Sequence, residues 1–412
     1  MKKAIAWMLA GALMTGLFAG CSQGETPATE APSESAAATA EASPSPEAES
    51  PSPEPEAEAA AGDVQADIVV IGAGGAGMSA AIQAVQDGAT NVVILEKMAM
   101  SGGNTTRSTG GLNAAGTKYQ EEKGIEDSIE LFVQDTMTGG KDLNDPALVQ
   151  KMAEESNAAL EWVNALGANL TVVGQFAGAS VERIHRPDDT SAVGPRLVSV
   201  FNDNLAKLNI PVLFDTEATH ILLGDDGAVR GVAATGPDGE MTIDCKAVVL
   251  ASGGFGNNSD MVVKYNAELA GFSTTNHPGA TGDGLVMAEE VGAALVDVEQ
   301  IQTHPTVNPD TSDMYTEGVR GNGAILVNNE GQRFVNEMET RDVVSEAILA
   351  QPGGTCWLVF DQQVRESLAA IETYISKGII EEADTVEELA AKTGADPAPP
   401  QALPSLPLLP CR

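Results

Sequence analysis

Asp67-Ile68-Val69-Val70-Ile71-Gly72-Ala73-Gly74-Gly75-Ala76-Gly77 opens the folded part of this chain. A β-branched run leads into the turn G-x-G-x-x-G, a helix-period stretch follows from Met78, and a second strand ends on the acid Glu96. That order predicts a β-α-β unit at the head of a parallel, Rossmann-like sheet. Gly72 permits the tight turn, Gly74 lets backbone approach a pyrophosphate, and Gly77 lets helix and strand pack closely. Gly75 and Ala76 lie at the helix N-terminus, where unpaired N–H groups and the positive dipole end favour an anion. Glu96, nineteen residues after Gly77, stands where a carboxylate accepts hydrogen bonds from an adenosine ribose. The unit predicts a bound dinucleotide.

Two glycine-rich stretches follow, Ser101-Gly102-Gly103-Asn104-Thr105 and Ser108-Thr109-Gly110-Gly111-Leu112-Asn113. Glycine pairs so close predict backbone pressed against a large flat ligand, because a Cβ would clash; a flexible surface loop is the other reading. The run Glu96-Lys97, Gly102-Gly103-Asn104-Thr105, Ser108-Thr109-Gly110-Gly111-Leu112-Asn113 resembles the flavin-binding region of the fumarate reductase flavoprotein and flavocytochrome c family, especially its soluble branch. That resemblance implies FAD rather than NAD, with Glu96, Lys97, Gly103, Asn104, Thr105, Gly110 and Gly111 joining the glycine turn as cofactor-binding positions. It also implies that the Ala218 backbone lies against the adenine and that Asp283, in Gly282-Asp283-Gly284, faces the flavin. Pro278-Gly279-Ala280-Thr281 is similar in part to a site of covalent FMN attachment, but the upstream Asp of that motif is absent, and the stretch reads as a cofactor-facing turn.

Farther along, 161–166 and 197–208 read as helices, and 211–214, 218–223, 229–235 and 241–250 as strands. Asp225-Asp226-Gly227 and Pro237-Asp238-Gly239 read as hairpin turns. Gln175 and Phe176 stand where fumarate-specific members of the family carry methionines. His185, with no evident partner, reads as structural.

Four blocks match the same family in order and spacing: Gln302-Thr303-His304-Pro305-Thr306, Met314-Tyr315-Thr316-Glu317-Gly318-Val319-Arg320-Gly321-Asn322-Gly323, Arg333-Phe334-Val335-Asn336-Glu337 and Thr340-Arg341-Asp342. The resemblance implies that His304 and Thr316 hold a substrate carboxylate beside Glu317, that Met314 walls the cavity, and that Arg341 donates a proton which Glu317 and Arg320 replace. Such an arrangement suits reduction of a carbon–carbon double bond next to a carboxylate, because cationic groups stabilise the carbanion-like charge that develops. The substrate class is an unsaturated carboxylate, fumarate or a relative such as urocanate or an acrylate. A membrane-tethered flavin electron carrier without substrate chemistry is the alternative of a different class.

A net charge of −37 argues against a nucleic-acid partner, which calls for a basic footprint. Residues 22–62 hold Glu, Pro, Ala and Ser with no Lys or Arg, the composition of a disordered tether. Before it, Lys2-Lys3, an apolar run and Ala19-Gly20-Cys21 resemble a bacterial lipoprotein signal, which implies lipidation of Cys21 and an extracytoplasmic protein anchored to the cell membrane. A plain transmembrane anchor is the competing reading, and the apolar run is short for it. Cys245 and Cys356 read as small buried apolar residues. No Cys-x-x-Cys pair suggests a metal, and no Cys-x-x-Cys-His motif attaches haem, so electrons come from an external donor, a cytochrome or a flavoprotein.

The expected architecture is α/β: a Rossmann-like FAD-binding domain with an inserted α+β clamp, or capping, domain that is incomplete. Its divisions are a signal peptide over 1–21, the tether over 22–62, the FAD-binding domain over 63–298, the clamp with the active-site residues over 299–396, and a proline-rich tail over 397–412. The family continues past this point with a second histidine, a second arginine and a glycine-rich flavin segment, so the tail reads as a shifted frame or as a proline-rich interaction peptide.

Overall fold

The computed structural model describes residues 64–394 apart from 177 and 190. The signal with Cys21, the tether and the proline-rich tail lie outside the described residues.

Four parallel strands form the central sheet, in the order Ala247–Leu250, Ile68–Ile71, Val92–Leu95, Val212–Leu213. Its strands are apolar along their whole length because both faces are covered, as parallel sheets require. Alternate residues serve the two sides: Val70 and Ile94 pack into one core, Val69, Ile71, Val93 and Leu95 into the other. The first core is roofed by the helices Gly75–Gln86, Pro146–Leu166 and Val193–Lys207, which bring Met78, Ile82, Leu160, Phe201 and Leu205. The second is closed by a four-stranded sheet, in the order Val64–Gln65, Gly239–Asp244, Val229–Gly236, Glu217–Leu223, through Ala218, Val232, Ala234 and Ile243. The result is three layers: helices, parallel sheet, second sheet.

The expected strand over 241–250 is two strands in two different sheets. Gly239–Asp244 pairs antiparallel with Val229–Gly236, and Ala247–Leu250 pairs parallel with Ile68–Ile71. At the crossing, Cys245 N–H donates to the Arg230 carbonyl at 3.0 Å and Lys246 N–H to that of Asp67 at 3.1 Å. Ile243 faces the core between the sheets while Val249 packs on the helix side, so one unbroken apolar run hides a change of layer. Both hairpin turns form where expected. The two expected helices are longer than the periodicity indicated. The first starts at Pro146, capped by the Asp145 carboxylate at 2.8 Å from Ala147 N, and stops at Gly167 in the left-handed conformation, φ 113°.

The second half carries a smaller α+β part. The strands Ile325–Val327 and Trp357–Val359 pair antiparallel, with the helices Glu317–Gly321, Arg341–Leu349, Gln362–Ser367 and Ala369–Ser376 around two cores. One centres on Leu326, Val335, Val344 and Ile348, the other on Val319, Ala324, Val364 and Ile371. Burial pushes the Cys356 thiol up to about 12, which keeps it protonated and inert. Among the described residues no helix is long and apolar enough to cross a membrane.

A buried polar knot braces the loop into the strand Ile184–Pro187. Arg183 donates through Nη2 and Nε to Asp127 at 2.8 and 3.1 Å, and through Nη1 to Asp135 at 2.7 Å. Next to it His185, fully buried, donates from Nδ1 to the Arg183 carbonyl at 2.9 Å and accepts at Nε2 from the Thr117 hydroxyl at 2.8 Å. Burial lowers its pKa, so the ring is neutral and its role structural. Removing one partner of a buried pair leaves an uncompensated charge: Asp127→Ala is expected to cost about 3–5 kcal/mol. The double replacement Arg183→Met with Asp127→Ala should cost less than Asp127→Ala alone, both read from urea unfolding midpoints.

Candidate cofactor cleft and active site

The glycine turn is packed as its spacing demands. Gly72 has φ 104°, and a Cβ there would lie 2.5 Å from the Ala251 carbonyl oxygen; a Cβ on Gly77 would lie 1.9 Å from that of Gly72. Gly74 is different, since the nearest atom to a Cβ there, the Gly102 oxygen, is 3.9 Å away. The three glycines therefore give a turn, a tight contact and an open approach. The helix Gly75–Gln86 begins at Gly74 with no side-chain cap, so its first N–H groups and dipole face the opening.

That opening is a cleft of about 410 Å³, within the usual range for small-molecule sites. Gly72, Gly74, Gly75, Ala76, Glu96, Lys97, Gly103, Asn104, Thr105, Ala218 and Asp283 line it. Glu96 is 9% exposed and anchored at both oxygens, accepting from Ala73 N–H at 2.8 Å and Met98 N–H at 3.0 Å. Its remaining lone pairs suit two ribose hydroxyls. Gly77 is absent from the lining because it packs the helix onto the turn. Gly110 and Gly111 are absent too, and the reason for their small size is corrected: a Cβ on Gly110 would meet the Phe176 ring at 2.6 Å, and one on Gly111 the His185 carbonyl oxygen at 2.4 Å. Protein, not a flat ligand, fills those places. Thr216, Ser252 and His277 also line the cleft and were not singled out in the sequence. An uncapped helix N-terminus, an open Gly74 and an anchored carboxylate fit the ADP half of FAD.

A second, larger cavity of about 1830 Å³ takes Gln302, His304, Met314 and Arg341 into its wall. Arg341 opens the helix Arg341–Leu349 and holds Glu317 in a two-point grip, Nε to Oε1 at 2.7 Å and Nη2 to Oε2 at 2.8 Å. Its Nη1 donates to the Gln302 side-chain oxygen. On the other side of Glu317, the buried Arg320 donates from Nη2 to Oε1 at 3.2 Å and from Nη1 to the Glu337 carbonyl at 2.7 Å. The Glu337 carboxylate is itself held by Arg333 and by Leu326 N–H at 2.9 Å. Thr316 caps the helix Glu317–Gly321, donates its N–H to the Tyr374 hydroxyl at 3.0 Å, and places its own hydroxyl 3.2 Å from that of Thr109. The structure thus assembles Arg341, Glu317 and Arg320 in one chain of contacts, with Glu317 and Arg320 behind Arg341 rather than on the cavity wall.

The charges follow from this packing. Burial pulls the Glu317 carboxyl up, but its hydrogen bonds with Arg341 and the charges of Arg341 and Arg320 outweigh that and leave it below the usual range. Those hydrogen bonds raise Arg341, while burial lowers Arg320. His304 is driven down to about 4, first by burial and then by the Arg341 charge. Its ring is neutral at pH 7. Thr306 N–H donates to Nδ1 at 3.3 Å, so Nε2 carries the proton and is a donor. Two guanidiniums around one carboxylate leave positive charge in excess, and a neutral imidazole donor stands beside them, which favours a bound carboxylate. Gln302 and Thr109 were quoted in the sequence without a role, and Tyr374 comes from a helix distant in sequence that carries no local signal of the site.

The FAD binding domain profile matches residues 67–406. Fumarate reductase (cytochrome) of Shewanella frigidimarina is 48% identical over 331 residues, which cover 80% of this chain and 58% of that protein. Urocanate reductase of Eggerthella lenta is 37% identical over 350 residues, 81% and 57% of the two chains. Among solved structures, the open conformation of a flavocytochrome c3 fumarate reductase superposes with a TM-score of 0.72 at 39% identity, covering 82% of this chain and 60% of that one. The chain spans less than two thirds of each of these relatives. With a profile match over most of its length, a glycine turn built for a pyrophosphate and an anchored ribose acid, this chain belongs to the FAD binding domain family.

Proposed function

We propose that this protein uses its FAD to reduce the carbon–carbon double bond of an unsaturated carboxylate, with Arg341 as proton donor. The observation that carries the reading is the two-point grip of Arg341 on Glu317, backed by Arg320 and set in a cavity wall beside neutral His304. Reduced FAD supplies the hydride in such a reaction. The residues of this chain would do the rest. His304 Nε2–H and the Thr316 hydroxyl are donors for one substrate carboxylate, and the excess positive charge of the arginines stabilises the negative charge that develops on it. Arg341 holds its proton more tightly than an ordinary arginine, so it gives it up only to a far stronger base, a carbanion-like carbon. Glu317, ionised and touching both arginines, is placed to pass a replacement proton from Arg320. Fumarate, urocanate and acrylates are the substrates that fit this chemistry, in line with the names of the similar proteins. An external electron donor and a lipid anchor at Cys21 outside the cytoplasm belong to the same proposal and rest on the sequence alone.

The protein carrying FAD, reduced anaerobically, should be reoxidised by at least one of fumarate, urocanate and acrylate, followed by visible absorbance. Arg341→Gln should slow that step at least about a hundredfold while retaining FAD, since acid–base groups contribute about 10²–10⁴. If none of the three accelerates reoxidation over buffer, the reductase reading fails and an electron-carrier role takes its place.

Acid should act on stability through His304. Its folded pKa lies below the unfolded value of 6.5, so its contribution is complete above 6.5 and is lost as pH falls from there toward about 4. His304→Gln is expected to flatten the fall in urea midpoint across that window, and an unchanged profile would contradict the buried, neutral ring.

A further inference from the structure

Segment 274–283 forms the wall between the two cavities: Thr274, Thr275 and Asn276 face the larger one, and His277, Gly279 and Asp283 face the cofactor cleft. One edge is fixed to its neighbour in sequence, Asn257 N–H donating to the Ala280 carbonyl at 2.8 Å and the Asn258 amide to that of Thr281 at 2.9 Å. The other edge is fastened across the cleft to the wall that carries the glycine turn. The Asn104 side chain accepts from His277 N–H at 2.6 Å and donates to the Asn276 Oδ1 at 2.7 Å, so both ends of its amide are engaged by protein. Arg107 donates to the Thr275 carbonyl at 3.0 Å. Lys97 reaches the Thr281 hydroxyl and the Asp283 carboxylate together, and Thr281 Oγ1 lies 2.9 Å from both Asp283 oxygens.

We propose that segment 274–283 is a strap closed over the dinucleotide, and that Asn104 and Lys97 retain FAD as positioning residues by fastening the strap rather than by touching the cofactor. A ligand between two walls leaves when the walls part, and each polar tie across the opening must break for that to happen. The ties at Asn104 and at Lys97 lie at the two ends of the strap, so opening from either end meets one. Lys97 and Asp283 are part-exposed, at 22% and 33% of their side-chain surface, so the second tie weakens with salt. The inference goes beyond the reductase reading, because it concerns retention of FAD whatever the substrate.

The test is the rate at which FAD fluorescence appears when the FAD-loaded protein is diluted. Asn104→Ala and Asn276→Ala should each speed release, Asn104→Ala by about tenfold, the effect of one or two lost hydrogen bonds. The double variant should be no faster than Asn104→Ala, because both side chains act through one contact. Lys97→Asp should speed release more at low salt than at high, and adding Asp283→Lys to it, which restores the pair in reverse, should recover slow release. The proposal is overturned if the Asn104 and Asn276 effects multiply. It is equally overturned if Asn276→Ala is without effect while Asn104→Ala releases FAD, or if the charge-reversed pair releases FAD as fast as Lys97→Asp alone.

Discussion

Three backbone segments meet at the glycine turn with no side chain between them. The Gly72 carbonyl fills the place of a Gly77 Cβ, and the Ala251 carbonyl fills that of a Gly72 Cβ. This contact lets the strands Ile68–Ile71 and Ala247–Leu250 stay paired to their last residues and brings the start of the helix Gly75–Gln86 to the cleft. The same economy of space continues outward. Gly75 N–H donates to the Thr105 hydroxyl at 2.9 Å, and a Cβ on Gly194 would lie 1.9 Å from the Thr105 carbonyl oxygen. The helix Val193–Lys207 is thereby set against the short helix Gly103–Thr106, four residues before Thr109 faces the clamp. A side chain inserted at any of these contacts would displace not one residue but the register between cofactor cleft and active site.

At the far end of that chain of contacts, one carboxylate decides the electrostatics. Glu317 loses solvation by burial, and its ionised form is kept by two guanidiniums that would otherwise repel each other. Arg341 turns its third nitrogen to Gln302 at the cavity wall, whereas Arg320 is fixed by the Glu337 carbonyl in the interior. One arginine thus faces the substrate and the other faces the protein, with the carboxylate between them, an asymmetry that suits a proton moving in one direction.

The first half of the fold was legible because it is local. The turn, the helix start and the ribose acid lie within thirty residues and obey fixed offsets, and the hairpins carry their own turn residues. What escaped was set by layers. A run from Met241 to Leu250 that is apolar throughout does not show that Cys245 is where the chain leaves one sheet for another, since a buried residue looks alike from either side. The helix Pro146–Leu166 was readable at its Asp145-Pro146 start and Gly167 stop, signals weaker to the eye than the apolar pattern at its end. In the site, Arg341, Glu317, Arg320 and His304 come from blocks already matched in the sequence, and the structure brings them into one cluster. Gln302, Thr109 and Tyr374 carry nothing in their local sequence that reveals a role, because each is defined by a partner from another part of the fold.

Thr109 and Thr316 show what that non-local definition means. Thr109 belongs to the glycine-rich loop after the cofactor cleft, Thr316 caps a helix of the smaller part, and their hydroxyls meet at 3.2 Å. Each hydroxyl has one proton, so in the contact one donates and the other keeps its proton free. Thr316 is oriented further by its N–H on the Tyr374 hydroxyl, while the Thr109 side chain has the greater freedom to turn. A carboxylate arriving between the two parts therefore meets a hydroxyl pair that exchanges an internal hydrogen bond for one to the ligand. Binding and the approach of the smaller part to the cofactor-bearing part then draw on the same two oxygen atoms.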